Sequence, residues 1–172
     1  MINGINSREM ILEILLEIEE GEHSHVAIRN ALSKYQFLPK QDRAFITRVC
    51  EGTLEYRIQI DYIINSFSKV TVDKMKPAIR EILRSAVYQL KYMDSVPDSA
   101  VCNEAVKLAQ RKGFYNLKPF VNGVLRTIAR EMDQVRFPQK EDDLLKYLSV
   151  KYSMPEVLVT RWLEAYGEET TE

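Results

Sequence analysis

Residues that could carry out nucleophilic, acid–base or metal chemistry are few and widely separated in this chain. Cys50 and Cys102 lie in apolar helical contexts, with no His or Cys at metal-ligand spacing from either. His23 and His25 share a polar turn that has no cysteine or carboxylate cluster beside it. We therefore interpret the cysteines as small buried core residues and the histidines as solvated turn residues.

Paired carboxylates are the next candidates for chemistry. Glu19-Glu20 and Asp142-Asp143 fall on polar faces or in a connector, where nothing would desolvate them and tune a pKa. The signatures GxGxxG, GxxxxGK[ST], HExxH and GxSxG, which mark common cofactor sites and catalytic nucleophiles, are absent from the sequence. The sequence therefore predicts no catalytic residue, no metal site and no cofactor within this chain.

The distribution of charge points to binding. The 172 residues carry a net charge of −1, but residues 71–136 hold 12 Lys+Arg against 7 Asp+Glu. A local excess of positive charge is typical of a surface that binds a polyanion. The alternative interpretation is a helical protein with mixed charged faces and no such ligand. The candidate RNA-binding cations are Arg80, Arg84, Lys107, Arg111, Lys112, Lys118, Arg126 and Arg130, with Arg43 and Lys40 as lesser candidates.

Three polar or small residues stand inside apolar helical runs. Asn103 interrupts the run at 101–109, and Asn122-Gly123 interrupt the run at 121–126. Asn and Gly each cost about 0.5–1 kcal/mol relative to Ala in a helix interior, so helix propensity alone does not select them. An Asn on a packed face can bond a facing helix, and a Gly allows two helices to approach closely. We expect all three to be structural and to hold adjacent helices together.

Helical periodicity runs through nearly the whole chain, and no segment shows sustained strand alternation. Asn6 followed by Glu9 has the pattern of a capping box, which predicts a first helix over about 7–20. Apolar positions stop and restart between Tyr56 and Gln59, which predicts a break between two helices. These patterns favour an all-α fold.

The clearest amphipathic pattern covers 79–90 and places Arg80 and Arg84 on the solvent side. Beyond Arg136 the sequence turns polar and contains a proline, and two shorter helical patterns follow. We therefore predict a bundle of about seven helices over 1–136 and a two-helix C-terminal extension over 137–172.

Composition is that of a folded protein, with 45% hydrophobic and 28% charged residues. The apolar runs are interrupted by charges well before the roughly 20 residues that a membrane-spanning helix requires. The N-terminus lacks the basic and apolar pattern of a secretory signal. We expect a cytoplasmic protein without a membrane partner.

Six segments, in their order and spacing, resemble the NusB-like RNA-binding domain. They are 8–21, 42–47, 51–54, 82–90, 96–106 and 120–126, the last with the sequence Phe-Val-Asn-Gly-Val-Leu-Arg. Three further segments resemble the version of this domain at the N-terminus of the ribosomal RNA small-subunit methyltransferase B (RsmB/Sun) family. These segments are 124–130 in the last bundle helix, and 151–156 and 159–167 in the linker toward that family's catalytic domain.

The resemblance implies a NusB-like helical bundle that positions ribosomal RNA for a cytosine-5 methyltransferase. In that family the catalytic domain is Rossmann-like and binds S-adenosylmethionine, and this chain ends before such a domain. Its partners would be ribosomal RNA and its own methyltransferase domain. The resemblance also places an RNA-binding surface on the first helix, but Arg8 is the only basic residue there. We therefore expect the cations named above to bind the RNA instead.

Two other functions stay open at the level of sequence. One is a NusB-type transcription antitermination factor that binds RNA together with a small ribosomal protein. The other is a helical protein-interaction module without affinity for nucleic acid. The segment after Arg136 favours the methyltransferase, because a free-standing NusB would finish near residue 135.

Overall fold

The structure, a computed structural model, describes residues 6–171. This range contains nine α-helices and no β-strand, which confirms the predicted seven-helix bundle with a two-helix extension. The helices are α1 (Ser7–Glu19), α2 (Ser24–Lys34), α3 (Lys40–Glu55), α4 (Arg57–Phe67), α5 (Pro77–Tyr92), α6 (Asp98–Arg111), α7 (Lys118–Glu131), α8 (Leu144–Tyr152) and α9 (Glu156–Thr171). Residues 1–5 and 172 of the two predicted domains lie outside the described range.

Local sequence signals set several of the helix ends. Asn6 caps α1, because its Oδ1 accepts a hydrogen bond from the backbone N–H of Arg8 at 2.8 Å. The Glu9 carboxylate, which a capping box would turn back toward Asn6, instead lies 3.6 Å from Arg111 Nη1 at the end of α6 and 3.6 Å from Lys112 Nζ just after it. The predicted break falls at Tyr56, where α3 ends and α4 begins.

Helix α5 forms the centre of the bundle and packs against α1, α3, α4, α6 and α7. Its polar side is consequently enclosed as well as its apolar side, and Glu81, Arg84 and Gln89 are buried among the core residues. The prediction that Arg84 lies on the solvent side is therefore wrong, since the residue is only 9% exposed. The amphipathic pattern identified the apolar face of α5, but the polar face is covered by α4.

An ion triad joins α4 to α5 at this covered face. The Arg84 guanidinium donates from Nε and Nη2 to the two carboxylate oxygens of Asp61 on α4, at 2.7 and 2.8 Å. Its Nη1 donates to Glu81 Oε1 at 2.6 Å, one turn earlier on α5. Burial raises the pKa of Glu81, and the charge of Arg84 opposes that rise. Arg84 is thus a structural cation that neutralises the buried Glu81 and the half-buried Asp61.

Helices α3 and α5 approach each other closely at a glycine. A Cβ atom added to Gly52 would overlap the ring of Tyr88, so no larger residue fits there without a shift of that ring. One turn along, the rings of Tyr56 and Tyr92 stack with centroids 4.5 Å apart, and the Tyr92 hydroxyl donates to Gln59 Oε1. This aromatic cluster fixes the bend between α3 and α4 against the central helix.

The C-terminal extension is fastened to the bundle. Helix α8 packs on α4, and α9 packs on α8. Ser153, which follows α8 and has a left-handed backbone conformation (φ 52°), accepts hydrogen bonds through Oγ from the N–H groups of Ile58 and Gln59 at 3.1 and 3.4 Å. Gln59 Nε2 in turn donates to the carbonyl oxygen of Val150 at 3.4 Å. The extension therefore caps the N-terminus of α4.

The connector ahead of α8 is also attached to α4. The Tyr62 hydroxyl donates to the carbonyl oxygen of Arg136 at 2.5 Å, and the Tyr62 ring stacks on Phe137 with centroids 5.7 Å apart. The segments before and after α8 thus contact the same helix of the bundle. Among residues 6–171, no helix has the length and apolar character needed to cross a membrane.

Candidate nucleic-acid interface

The residues considered for nucleophilic or metal chemistry lie where the sequence predicted. Both cysteines are free and buried, and burial raises the pKa of the Cys50 thiol, so its reactive thiolate form is suppressed. His23 and His25 are exposed, with ring centroids 6.0 Å apart. Over the described part of the chain, no group of three or more His, Cys, Asp or Glu side chains could hold a metal ion.

Five of the ten candidate cations share one surface. Lys107 and Arg111 lie one turn apart on α6, Arg126 and Arg130 lie one turn apart on α7, and Lys118 lies at the start of α7. Side chains at this spacing project from the same side of a helix. We call the surface formed by these five side chains the α6–α7 face.

Hydrogen bonds join two cations of α7, Lys118 and Arg126, to exposed polar side chains of α6. Arg126 Nη2 donates to Asn103 Oδ1 on α6 at 2.7 Å, while its Nε donates to Asn122 Oδ1 on α7 at 3.1 Å. Nearer the turn between the helices, Lys118 Nζ donates to Gln110 Oε1 at 3.0 Å. These bonds hold cationic side chains of α7 against polar side chains of α6 on their exposed side.

The three residues expected to hold adjacent helices together have different roles. Asn103 and Asn122 connect α6 to α7 through Arg126, but they do so on the solvent side and not on a packed face. The expectation for Gly123 is wrong, because a Cβ added there would meet no atom within 4 Å. Gly123 faces outward, so close approach of the two helices does not require it.

Arg80 and Arg84 do not join the α6–α7 face. Arg80 Nη1 donates to the carbonyl oxygen of Val72 at 3.0 Å, its Nη2 pairs with Glu19, and its side chain is 15% exposed. Arg84 is held in the ion triad between α4 and α5. Because internal acceptors already bind both guanidinium groups, we leave these two residues out of the interface proposed below.

The remaining three candidates lie at the edge of that face or away from it. Lys112 Nζ is 3.6 Å from Glu9 and faces α1. Arg43 Nη1 donates to the carbonyl oxygen of Leu32 at 2.8 Å, near the end of α2. Lys40 is exposed and lines an open groove with Arg43 between α2 and α3. Lys40 and Arg43 are therefore separate from the α6–α7 face, whereas Lys112 shares the Glu9 carboxylate with Arg111 at the edge of that face.

Acidic neighbours only partly neutralise the α6–α7 face. Lys107 Nζ lies 3.5 Å from Glu104, Arg111 Nη1 lies 3.6 Å from Glu9 on α1, and Arg130 Nη2 lies 3.8 Å from Glu131. The side chains of Lys107, Arg111 and Arg130 are 61%, 41% and 68% exposed. Ion pairs this exposed contribute about 0–1 kcal/mol and exchange readily with other partners. The cations therefore stay available to a phosphate group.

An exposed aromatic ring borders the α6–α7 face. Tyr115 begins the 3₁₀ turn Tyr115–Leu117 between α6 and α7 and is 65% exposed. Lys118 Nζ lies 4.6 Å from the centroid of its ring. Tyr115 is absent from the candidates derived from sequence, although an aromatic residue in a turn flanked by Lys and Arg is a signal that would have found it.

Comparison with known proteins agrees with this architecture. The sequence profile of the NusB family matches residues 5–130. The chain is 34% identical over 165 residues to the probable ribosomal RNA small subunit methyltransferase B of Bacillus subtilis (strain 168), which covers 96% of this chain and 36% of that protein. It is 33% identical over 130 residues to the transcription antitermination protein NusB of Dictyoglomus thermophilum, which covers 75% of this chain and 85% of that protein.

The fold is also shared with a solved structure of the antitermination factors NusB and NusE in complex with dsRNA. The superposition has a TM-score of 0.66 at 21% identity and covers 72% of this chain and 93% of that chain. The match to the methyltransferase, at 165 of 172 residues, includes most of the two-helix extension, whereas this chain spans only 36% of that relative's length. The chain belongs to the NusB family, whose sequence profile matches residues 5–130.

Proposed function

We propose that this chain is an RNA-binding domain that positions ribosomal RNA for a methyltransferase domain located outside it. The observation that carries the proposal is the α6–α7 face, where five cations of two adjacent helices share one exposed surface. The identity to a ribosomal RNA methyltransferase, of which this chain spans 36%, supports the second part. S-adenosylmethionine would bind in the catalytic domain and supply the methyl group for carbon 5 of a cytosine.

On the α6–α7 face, the guanidinium group of Arg126 is preorganised to bind a phosphate. The carboxamide oxygens of Asn103 and Asn122 accept from two of its nitrogens and fix the plane of the guanidinium. The third nitrogen, Nη1, can then donate to a phosphate oxygen with little further loss of side-chain freedom. Phosphate contacts of this kind set the position and register of the RNA, and they carry little sequence information.

A second function, transcription antitermination, is favoured by one observation. The NusB of Dictyoglomus thermophilum matches over 85% of its own length. Both functions would use a NusB-type bundle and an RNA-binding surface. The extension separates them, because the 165-residue match to the methyltransferase reaches beyond the family domain. We therefore prefer the methyltransferase as the larger protein to which this domain belongs.

The RNA-binding face can be tested by charge reversal. Arg126→Glu combined with Arg130→Glu should weaken binding to a small-subunit ribosomal RNA fragment by at least about tenfold, measured by fluorescence anisotropy. The matched control is Arg29→Glu combined with Lys69→Glu, which changes the net charge equally at exposed positions on and beyond other helices. Equal losses in the two variants would contradict a localised interface, since they would reflect the total charge alone. Circular dichroism of both variants would verify that they fold.

A further inference from the structure

The first helix places two carboxylates beside the cations at the end of α6. One oxygen of Glu9 lies 3.6 Å from Arg111 Nη1, and the other lies 3.6 Å from Lys112 Nζ. Glu13, one turn further along α1, lies 3.4 Å from the same Lys112 ammonium. Because Arg111 belongs to the α6–α7 face and Lys112 lies at its edge, the carboxylates of α1 border this end of the face.

Two cations of α7 have partners of a different kind. Arg126 donates to the side-chain oxygens of Asn103 and Asn122, and Lys118 donates to the side-chain oxygen of Gln110. A carboxamide oxygen accepts a hydrogen bond without carrying a net charge. A carboxylate, in contrast, offsets the charge of the cation beside it and repels a phosphate. These two cations of α7 therefore keep their full charge for a phosphate, whereas the pair at the end of α6 shares its charge with α1.

The ion pairs between α1 and α6 are partly shielded from solvent. The side chains of Arg111 and Lys112 are 41% and 26% exposed, and that of Glu9 is 30% exposed. Water therefore screens these pairs less completely than the pairs made by the more exposed Lys107 and Arg130. A phosphate that reaches the end of α6 has to displace carboxylates that are already in place.

The only basic residue of α1 does not offset these carboxylates at the surface. Arg8 Nε donates to Gln89 Oε1 on α5 at 3.3 Å, and the Arg8 guanidinium lies 5.2 Å from the ring centroid of Phe45 on α3. The Arg8 side chain is thus directed toward α3 and α5, away from the end of α6. Helix α1 consequently presents negative charge toward the α6–α7 face.

We propose that Glu9 and Glu13 limit RNA binding on the α1 side of the α6–α7 face, because they compete with RNA phosphates for Arg111 and Lys112. This proposal rests on the proposed function and specifies which part of the face binds RNA most strongly. The strongest phosphate contacts then lie along α7, and α1 forms an acidic border that lowers the affinity of the whole face.

Neutralising the two carboxylates tests the competition. Glu9→Gln combined with Glu13→Gln, the α1 variant, keeps the size of both side chains. It should bind the small-subunit ribosomal RNA fragment about fivefold more tightly at low salt, measured by fluorescence anisotropy. The matched control, Glu164→Gln combined with Glu169→Gln, changes the net charge equally at exposed positions of α9 and should alter the affinity by less than about 1.5-fold. Equal gains in the two variants would overturn the proposal, since they would reflect net charge alone.

A second pair of substitutions shows whether the gain depends on the two cations. Arg111→Gln combined with Lys112→Gln should weaken RNA binding by only about twofold in the parent chain, where carboxylates already hold both cations. The same pair of substitutions should weaken binding by about tenfold in the α1 variant, where the cations are available to phosphates. A gain that persists without Arg111 and Lys112 would show general repulsion by α1 and would overturn the competition.

Chemical acetylation of lysines gives a readout that does not depend on affinity. At saturating RNA and limited acetylation, the parent chain should show stronger protection of Lys118 than of Lys112. In the α1 variant the RNA should protect both lysines. Equal protection of the two lysines in the parent chain would contradict stronger binding along α7. Thermal unfolding of each variant would verify that it folds.

The outcomes separate this inference from the proposed function. Unchanged affinity in the α1 variant, together with a large loss in Arg126→Glu combined with Arg130→Glu, would overturn the competition and leave the RNA-binding face intact. If neither variant changed the affinity, the proposed function itself would fail.

Discussion

At the scale of single residues, Arg84 shows how a cation can serve the fold and not a ligand. It neutralises Asp61 and Glu81 between two packed helices. Removing the cation leaves two carboxylates without their counter-charge, so Arg84→Ala should lower the free energy of unfolding by about 3–5 kcal/mol. Urea denaturation would measure this, with Arg130→Ala as the exposed control expected to change stability by less than about 0.5 kcal/mol.

The stability that Arg84→Ala loses should depend on pH. Burial raises the pKa of Glu81, and Arg84 opposes the rise, so the variant's Glu81 should have a pKa that is higher still. A carboxyl whose pKa is higher in the folded state favours folding below its unfolded pKa, and this contribution is lost as the pH rises through the folded pKa. The decrease in the free energy of unfolding caused by Arg84→Ala should therefore be smaller near pH 5 than near pH 7. A decrease in stability that becomes larger as the pH is lowered would contradict this account of the ion triad.

A substitution at Gly123 should increase stability, in contrast to the loss expected for Arg84→Ala. It lies inside α7 with open space where a Cβ would be. Alanine loses less backbone freedom than glycine on folding into a helix, so Gly123→Ala should raise the free energy of unfolding by about 0.5–1 kcal/mol. Thermal and urea unfolding would detect the gain. Destabilisation would show that the glycine has a structural role inside the chain after all.

The sequence predicted the types of residue that matter more reliably than their partners. It marked Asn103 and Asn122 as unusual within α6 and α7, yet both face solvent and meet through Arg126. It placed Arg84 on a polar helix face, but periodicity along one helix contains no information about a second helix covering that face. Helical periodicity does not distinguish Tyr115, which lies in a turn, and only the Lys and Arg residues on either side of that turn mark it in the sequence.

At the scale of elements, the helices were predictable because their ends depend on local chemistry. Asn6 caps α1, Tyr56 separates α3 from α4, and Gly113 follows α6 in a left-handed conformation (φ 87°). The docking of the extension was not predictable, since it depends on hydrogen bonds between residues more than 90 positions apart, such as Ile58 and Ser153. Local signals define the helices, and tertiary contacts decide where each one packs.

The attachment of the extension to α4 can be tested at Ser153. Ser153→Ala removes the oxygen that accepts from Ile58 and Gln59 and keeps a Cβ in a left-handed backbone conformation. Loss of such a cap costs about 1 kcal/mol. Ser153→Gly also loses the oxygen, but glycine adopts the left-handed conformation without strain, so it should be less destabilising than alanine by about 0.5–1 kcal/mol.

Urea denaturation of the two Ser153 variants would measure this order. If Ser153→Gly were the more destabilising of the two, backbone strain at this position would be excluded. If neither variant changed stability, the hydrogen bonds to α4 would contribute nothing to holding the extension in place.

At the scale of the whole molecule, the net charge of −1 conceals a local basic surface. The excess of Lys and Arg over 71–136 predicted such a surface, but it overestimated its extent. Arg80 and Arg84 belong to that block and bind acceptors inside the fold. Charge counted along the sequence cannot separate cations that neutralise buried carboxylates from cations that face solvent, because that distinction depends on packing.

The net charge is close to zero, so RNA affinity that comes from the proposed α6–α7 face should depend strongly on salt. For single-stranded RNA, each neutralised phosphate contributes about −0.7 to the slope of log affinity against log salt concentration. Five cations on the face give a slope of about −3.5 if each contacts one phosphate. Arg126→Ala combined with Arg130→Ala should make the slope less steep by about 1.4, while Arg29→Ala combined with Lys69→Ala should leave it unchanged. Anisotropy titrations at several salt concentrations would measure these slopes, and a slope near zero for the parent chain would contradict phosphate binding on this face.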